Sequence, residues 1–163
     1  MAIRSSTTST ATTGGAAIVS ADRRPSDGPG PEVMDAATLK GDSVVNSSGE
    51  DLGNIEAIML DVTSGRIAYA VLSFGGFLGM GSKLFAIPWS ALTLDAAEKR
   101  FILDVSKDRL ENAPGFDKDH WPSMADNSWA TEVHSYYNVR PYWDDELSSS
   151  HDPRTTAGYE ENR

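Results

Sequence analysis

The sequence contains no cysteine. Disulfide staples, thiolate zinc sites, iron–sulfur ligation and cysteine nucleophiles are therefore excluded. It also lacks any apolar run approaching the roughly 18 residues of a transmembrane helix, so a helical membrane span is excluded. Basic residues are scarce: 14 Lys and Arg stand against 24 Asp and Glu, a formal net charge of −10. A sequence-independent nucleic-acid binder needs Lys and Arg to displace counterions from phosphates, so no nucleic-acid partner is expected. The Gly-x-Ser-x-Gly nucleophile elbow is missing. A glycine-rich stretch runs from Gly76 to Lys83. Its order is Ser82 then Lys83 and a strand pattern follows, which does not suit a phosphate loop. What is present is a modest apolar fraction, 39% of 163 residues, enough for one small domain with tails.

Charge and composition divide the chain. Residues 1–33 carry three acids and three bases and are rich in Ser, Thr and Pro. Such a segment buries too little apolar surface to offset the entropy of ordering its backbone, so a disordered tail is expected. It has no apolar core of signal-peptide length, and a cytoplasmic protein is expected. Residues 144–163 carry six acids and two bases, and a second disordered, acidic tail is expected there. The ordered part is expected over 34–143.

Within it, Val44-Val45, Leu52 to Asp61, Arg66 to Phe74, Lys83 to Ile87, Leu92 to Leu94 and Phe101 to Leu103 read as short strands separated by turn residues. Both alternating faces of Arg66–Phe74 are largely apolar, which predicts a strand covered on both sides. Strands this short and close together predict a small antiparallel barrel. After Val105 the pattern turns helical. Ser106 is a cap for a short helix, and Asn127 or Ser128 for a helix from Trp129 to about Tyr137.

These residues carry a resemblance. Gly41-Asp42-Ser43-Val44, Gly49-Glu50-Asp51-Leu52-Gly53, Ile55 to Asp61, Gly65-Arg66-Ile67 and Ala86-Ile87-Pro88-Trp89 together resemble a PRC-barrel domain over about residues 34–112. That family takes its name from the cytoplasmic part of the photosynthetic reaction-centre H subunit, and a related barrel occurs in a ribosome-maturation factor. The continuation resembles a stand-alone bacterial subgroup. It comprises Ala113 to Pro122, Val133-His134-Ser135-Tyr136-Tyr137 and Pro141-Tyr142-Trp143. The resemblance implies a mainly β fold: a bent barrel over 34–112, then an aromatic-rich helical arm over 113–143. It implies an assembly or interaction module rather than an enzyme. No membrane insertion is expected, and neither photosynthesis nor ribosome assembly transfers on fold alone.

Apolar residues beyond the needs of a small barrel are the candidate contacts. Phe77, Leu78 and Met80 lie in the glycine-rich loop. The arm adds Trp121, Trp129, Tyr137 and Trp143, four of seven aromatics within residues 116–143. Trp and Tyr are favoured interface anchors, but an arm packing on its own barrel is the first explanation for them and a dimer contact the second. The leading expectation is a non-enzymatic homodimer that binds a protein partner and carries no cofactor. One alternative is a small-molecule or metal-binding stress protein using Asp117, Asp119 and His120, because imidazole and carboxylates together can hold a divalent cation. Another is an RNA-processing or ribosome-associated accessory factor.

Overall fold

The structure, a computed structural model, describes residues 15–19, 33–75 and 83–144. The chain order is β1 (Ala17–Val19), α1 (Ala36–Leu39), β2 (Ser43–Val45), β3 (Asp51–Asp61), β4 (Arg66–Phe74), β5 (Lys83–Pro88), a 3-10 turn (Trp89–Ala91), β6 (Leu92–Asp95), β7 (Arg100–Leu103), α2 (Lys107–Glu111) and α3 (Asn127–Tyr136). The fold is mainly β. All seven strands form one sheet in the order β1-β6-β7-β2-β3-β4-β5.

The long β3–β4 hairpin is the spine. Its turn is set by Asp61, whose carboxylate accepts the backbone N–H groups of Thr63 at 3.0 Å and Ser64 at 3.3 Å. Those bonds hold the Asp61 carboxyl below its ordinary range. The pairing slips between Ile55 and Ala57 and again between Met59 and Leu60. The first slip leaves the extra residue on β3 and the second leaves it on β4, and each bends and twists its strand, which allows a small sheet to curl around its core. Gly53 sits where that curl brings two backbones together. Its φ is +123°, and a Cβ there would overlap the Ser73 carbonyl oxygen of β4. Only glycine fits both conditions.

In β4 every residue from Ala68 to Leu72 is buried, as expected for a strand covered on both faces. Ala68, Ala70 and Leu72 join Val44, Leu52, Ile55, Phe85, Ile87, Phe101 and Leu103 in the core. Pairs β2–β3, β3–β4, β4–β5 and β6–β7 are antiparallel. Two pairings are parallel: β2 with β7 and β1 with β6. The sheet is thus mixed, where a wholly antiparallel one was expected. No local turn announces the β2–β7 pair. Its register places Val44 directly beside Phe101, and both are fully buried. Core packing of residues far apart in sequence fixes it.

The second departure is β1. Residues 1–33 were expected to be a structureless tail. Within that stretch Ala17–Val19 add a strand to the β6 edge, in the register Ala17–Thr93, Ile18–Leu94 and Val19–Asp95. The Ala96 N–H closes the pairing on the Val19 carbonyl at 3.1 Å. Residues 1–14 and 20–32 of that tail, and all of the tail expected over 144–163 except Asp144, lie outside the described residues.

Candidate functional site

The arm after β7 is built from small, identifiable locks. Ser106 caps α2 by accepting the Arg109 N–H, and Leu110 is buried. The chain then pairs with the outer edge of β5. Phe116 and Leu84 exchange two backbone hydrogen bonds of 2.8 Å each. Gly115 allows that approach, since a Cβ there would press on Phe85 and Lys83. This bridge covers part of a sheet edge that would otherwise be a pairing template.

α3 is capped one residue earlier than expected. Asp126, rather than Asn127 or Ser128, accepts the N–H groups of Ser128 and Trp129 at 2.8 and 3.3 Å. A charged acceptor at a helix N-terminus is also favoured by the helix dipole. These bonds, with the Ser128 hydroxyl first, lower the Asp126 carboxyl. α2 and α3 are joined by a reciprocal pair: the Arg109 guanidinium donates to the Tyr136 carbonyl, and the Tyr136 hydroxyl donates to the Arg109 carbonyl.

α3 lays Ala130, Val133 and His134 against the barrel, all buried. Tyr69 of β4 meets Trp129 and His134 edge-on, with ring centroids 5.4 Å apart in both cases. Tyr142 and Trp143 complete the cluster, with Trp143 5.2 Å from the His134 ring. The Arg66 guanidinium ties the Tyr142 carbonyl to the hairpin at 2.8 Å. His134 donates through Nδ1–H to the Ala130 carbonyl, 2.7 Å away. Burial holds its pKa below the ordinary histidine value.

The expected contact residues therefore separate. Tyr137 is 8% exposed and belongs to the core, so it leaves almost no surface for a partner. Trp129 is half-buried against Tyr69, and Trp143 is half-buried against His134. Their indoles already have neighbours in their own chain. Trp121 is different. It is 42% exposed, leans on Phe116 at 5.0 Å, and its Nε1 donates to the Lys118 carbonyl. Phe77, Leu78 and Met80 lie outside the described residues.

Sequence reasoning missed the larger apolar feature. A groove of about 380 Å³ opens beside β1, lined by Ala16, Ile18, Met34, Leu39, Trp89 and Leu94 among others. Ile67 of β4 and Val33 also line it. Leu60 lies directly across the hairpin from Ile67, on the same face of the sheet. Leu60, Val62, Val33 and Met34 are all exposed. The apolar surface thus continues from the groove over Ile67 to the hairpin tip. The signal in the sequence was faint: an Ala-Ala-Ile-Val patch inside a Ser/Thr-rich stretch, and Val33-Met34 at a supposed domain boundary.

The polar candidates are local. Asp117 accepts the Asp119 N–H at 2.9 Å and faces His120 Nδ1 at 2.7 Å, which lowers the Asp117 carboxyl. Asp119 contributes its backbone N–H to this turn. Among the described residues no three His, Asp or Glu side chains gather so as to hold a metal ion. Among the described residues the buried polar or charged side chains are Asn46, Asp95 and His134. Asn46 accepts the Ser48 and Glu50 N–H groups, and Asp95 accepts from Glu98 and faces Arg100, so both organise turns. Among the described residues no helix is long and apolar enough to cross a membrane.

Residues 31–110 match the family model described as the PRC-barrel domain. A search of curated proteins finds no match to the chain.

Proposed function

From the premise that this chain carries a PRC-barrel domain over residues 31–110, we propose that it is a non-enzymatic interaction module that forms a homodimer and binds a protein partner. One observation carries the reading: the continuous apolar surface from the groove beside β1 to Leu60 and Val62 at the hairpin tip. Contiguous exposed apolar surface on a small domain marks an interaction site. Trp121 is a second, separate anchor of the kind interfaces favour. The buried polar side chains described above serve turns and packing, which is what a scaffold requires. The reading includes a bacterial cytoplasmic setting.

Light scattering at high micromolar concentration tests the dimer. The expected mass is twice that of the 17.6 kDa chain, and Leu60→Lys with Val62→Lys is expected to return it to one. A wild-type chain that stays monomeric at that concentration removes the dimer from the proposal. The partner is sought by affinity purification with mass spectrometry, using Trp121→Ala as the paired control.

A further inference from the structure

β1 is the one strand of the sheet that lies outside the family-matched residues 31–110. Without it β6-β7-β2-β3-β4-β5 is still a continuous hydrogen-bonded order. β1 touches that sheet on one side only, through three residues paired with β6. Thirteen residues, 20–32, separate it from Val33. Extended chain spans about 3.3–3.6 Å per residue, so this connection does not by itself force Ala17–Val19 onto the edge.

The way the segment sits is that of a peptide on an acceptor edge. Main-chain bonds to β6 supply sequence-independent attachment. Alternate side chains then enter a groove, which supplies selectivity. Ala16 and Ile18, two residues apart, both line the groove. Ile18 meets a wall that includes Leu94, its register partner. Ala16 is a small residue in a space of about 380 Å³, which is within the range of sites that hold a ligand. The chain's own segment therefore fits the edge well and the groove poorly.

We infer that the β6 edge and its groove form a peptide-binding site, and that Ala16–Val19 occupies it in cis as a weak, displaceable ligand. The true ligand is an extended apolar segment of a partner protein, parallel to β6. It carries a branched residue at the Ile18 position and, two residues before, a side chain larger than alanine. This inference rests on the interaction-module reading and names the ligand class for it. A tethered segment competes at an effective concentration of about millimolar, so a partner segment must bind better to displace it. The space beside Ala16, which none of the described residues fills, is where it does so.

The test uses the full chain and two synthetic peptides. One has the wild-type sequence of residues 14–20, Gly-Gly-Ala-Ala-Ile-Val-Ser. The other carries Ala16→Leu. Ile18→Asp in the full chain vacates the groove, and Ile18→Gly does so without adding charge. Circular dichroism confirms that each variant keeps the barrel. Amide shifts of Thr93 to Ala96 report binding. The Leu peptide is expected to bind the vacated chains at least about tenfold more tightly than it binds wild type, and more tightly than the wild-type peptide does. Ala16→Leu in the full chain is expected to raise Tm by about 2–4 °C. Equal binding to wild-type and vacated chains, no binding to either vacated chain, or a lower Tm for Ala16→Leu overturns the inference. Light scattering separates it from the dimer proposal. The mass is expected to be unaffected by Ile18→Asp, because the dimer contact is placed at Leu60 and Val62 of the hairpin tip, outside the groove lining that Ile18 belongs to. A dimer that this substitution dissolves makes a second copy's segment the occupant and overturns the cis assignment. A monomeric wild type refutes the dimer and leaves the peptide titration to decide the site.

Discussion

Gly53, Tyr69 and His134 show three ways in which a single side chain, or its lack, governs this molecule. At Gly53 a positive φ coincides with close backbone contact across the hairpin. Gly53→Ala is expected to cost about 3–5 kcal/mol, because neither the backbone angle nor the Ser73 carbonyl can yield cheaply. Urea denaturation checks this as a lowered midpoint with an unchanged slope. Tyr69 is the opposite case. Its ring packs against three aromatic neighbours, but its buried hydroxyl has no hydrogen-bond partner among the described residues. Burial pushes that phenol well above the ordinary tyrosine range. Tyr69→Phe removes an unsatisfied polar atom and leaves the shape, so a gain of about 0.5–1 kcal/mol is expected in the same assay. His134 is buried and held neutral, with its pKa depressed. The unfolded chain takes up a proton near pH 6.5 and the folded chain resists until lower pH. Stability is therefore full above that value and declines as pH falls below it. The decline is expected to disappear in His134→Phe over pH 8 to 5. Below about pH 4 the carboxyls of Asp61, Asp117 and Asp126, all lowered in the fold, contribute the remaining acid loss.

The elements differ in how openly the sequence declares them. β3, β4 and β5 were legible because apolar alternation ran between recognisable turn residues, Asp61 to Gly65 above all. β1 was not, because three apolar residues in a polar tract have no strand signal of their own. They become a strand only through an edge supplied by residues 93–95. The arm was legible as a concentration of aromatics. Which of them face inward was not, because Trp and Tyr serve cores and interfaces alike. Tyr137 is buried, Trp129 and Trp143 are half-buried against their own chain, and Trp121 is the most open of the four arm candidates. The arm's attachment is testable at this scale. Asp126→Ala removes the α3 cap and is expected to cost about 1 kcal/mol. Hydrogen exchange is expected to quicken in α3 before it quickens in β4, since the arm opens as a unit of lower stability.

The molecule as a whole is a small barrel whose two sheet edges are dressed differently. The β5 edge is bridged by Phe116, from the arm that follows the barrel; the β6 edge is covered by a segment that precedes it. Trp121→Ala is expected to cost only about 0.5–1 kcal/mol, because its indole is 42% exposed, while weakening partner capture. The mainly β sheet and the short helices after it were legible in the strand and helix patterns, whereas the apolar groove depends on a tail segment whose pairing no local pattern announces. The β2–β7 pair has a kinetic consequence. It joins residues 43–45 to residues 100–102 in parallel, so the barrel's seam is a long-range contact. Nascent chain leaving a ribosome can assemble the β3–β4–β5 meander early, but β2 waits, unpartnered on one side, until β7 emerges. High contact order of this kind slows folding. Substitutions that weaken Val44 or Phe101 would then act through the speed of closure as well as through its equilibrium.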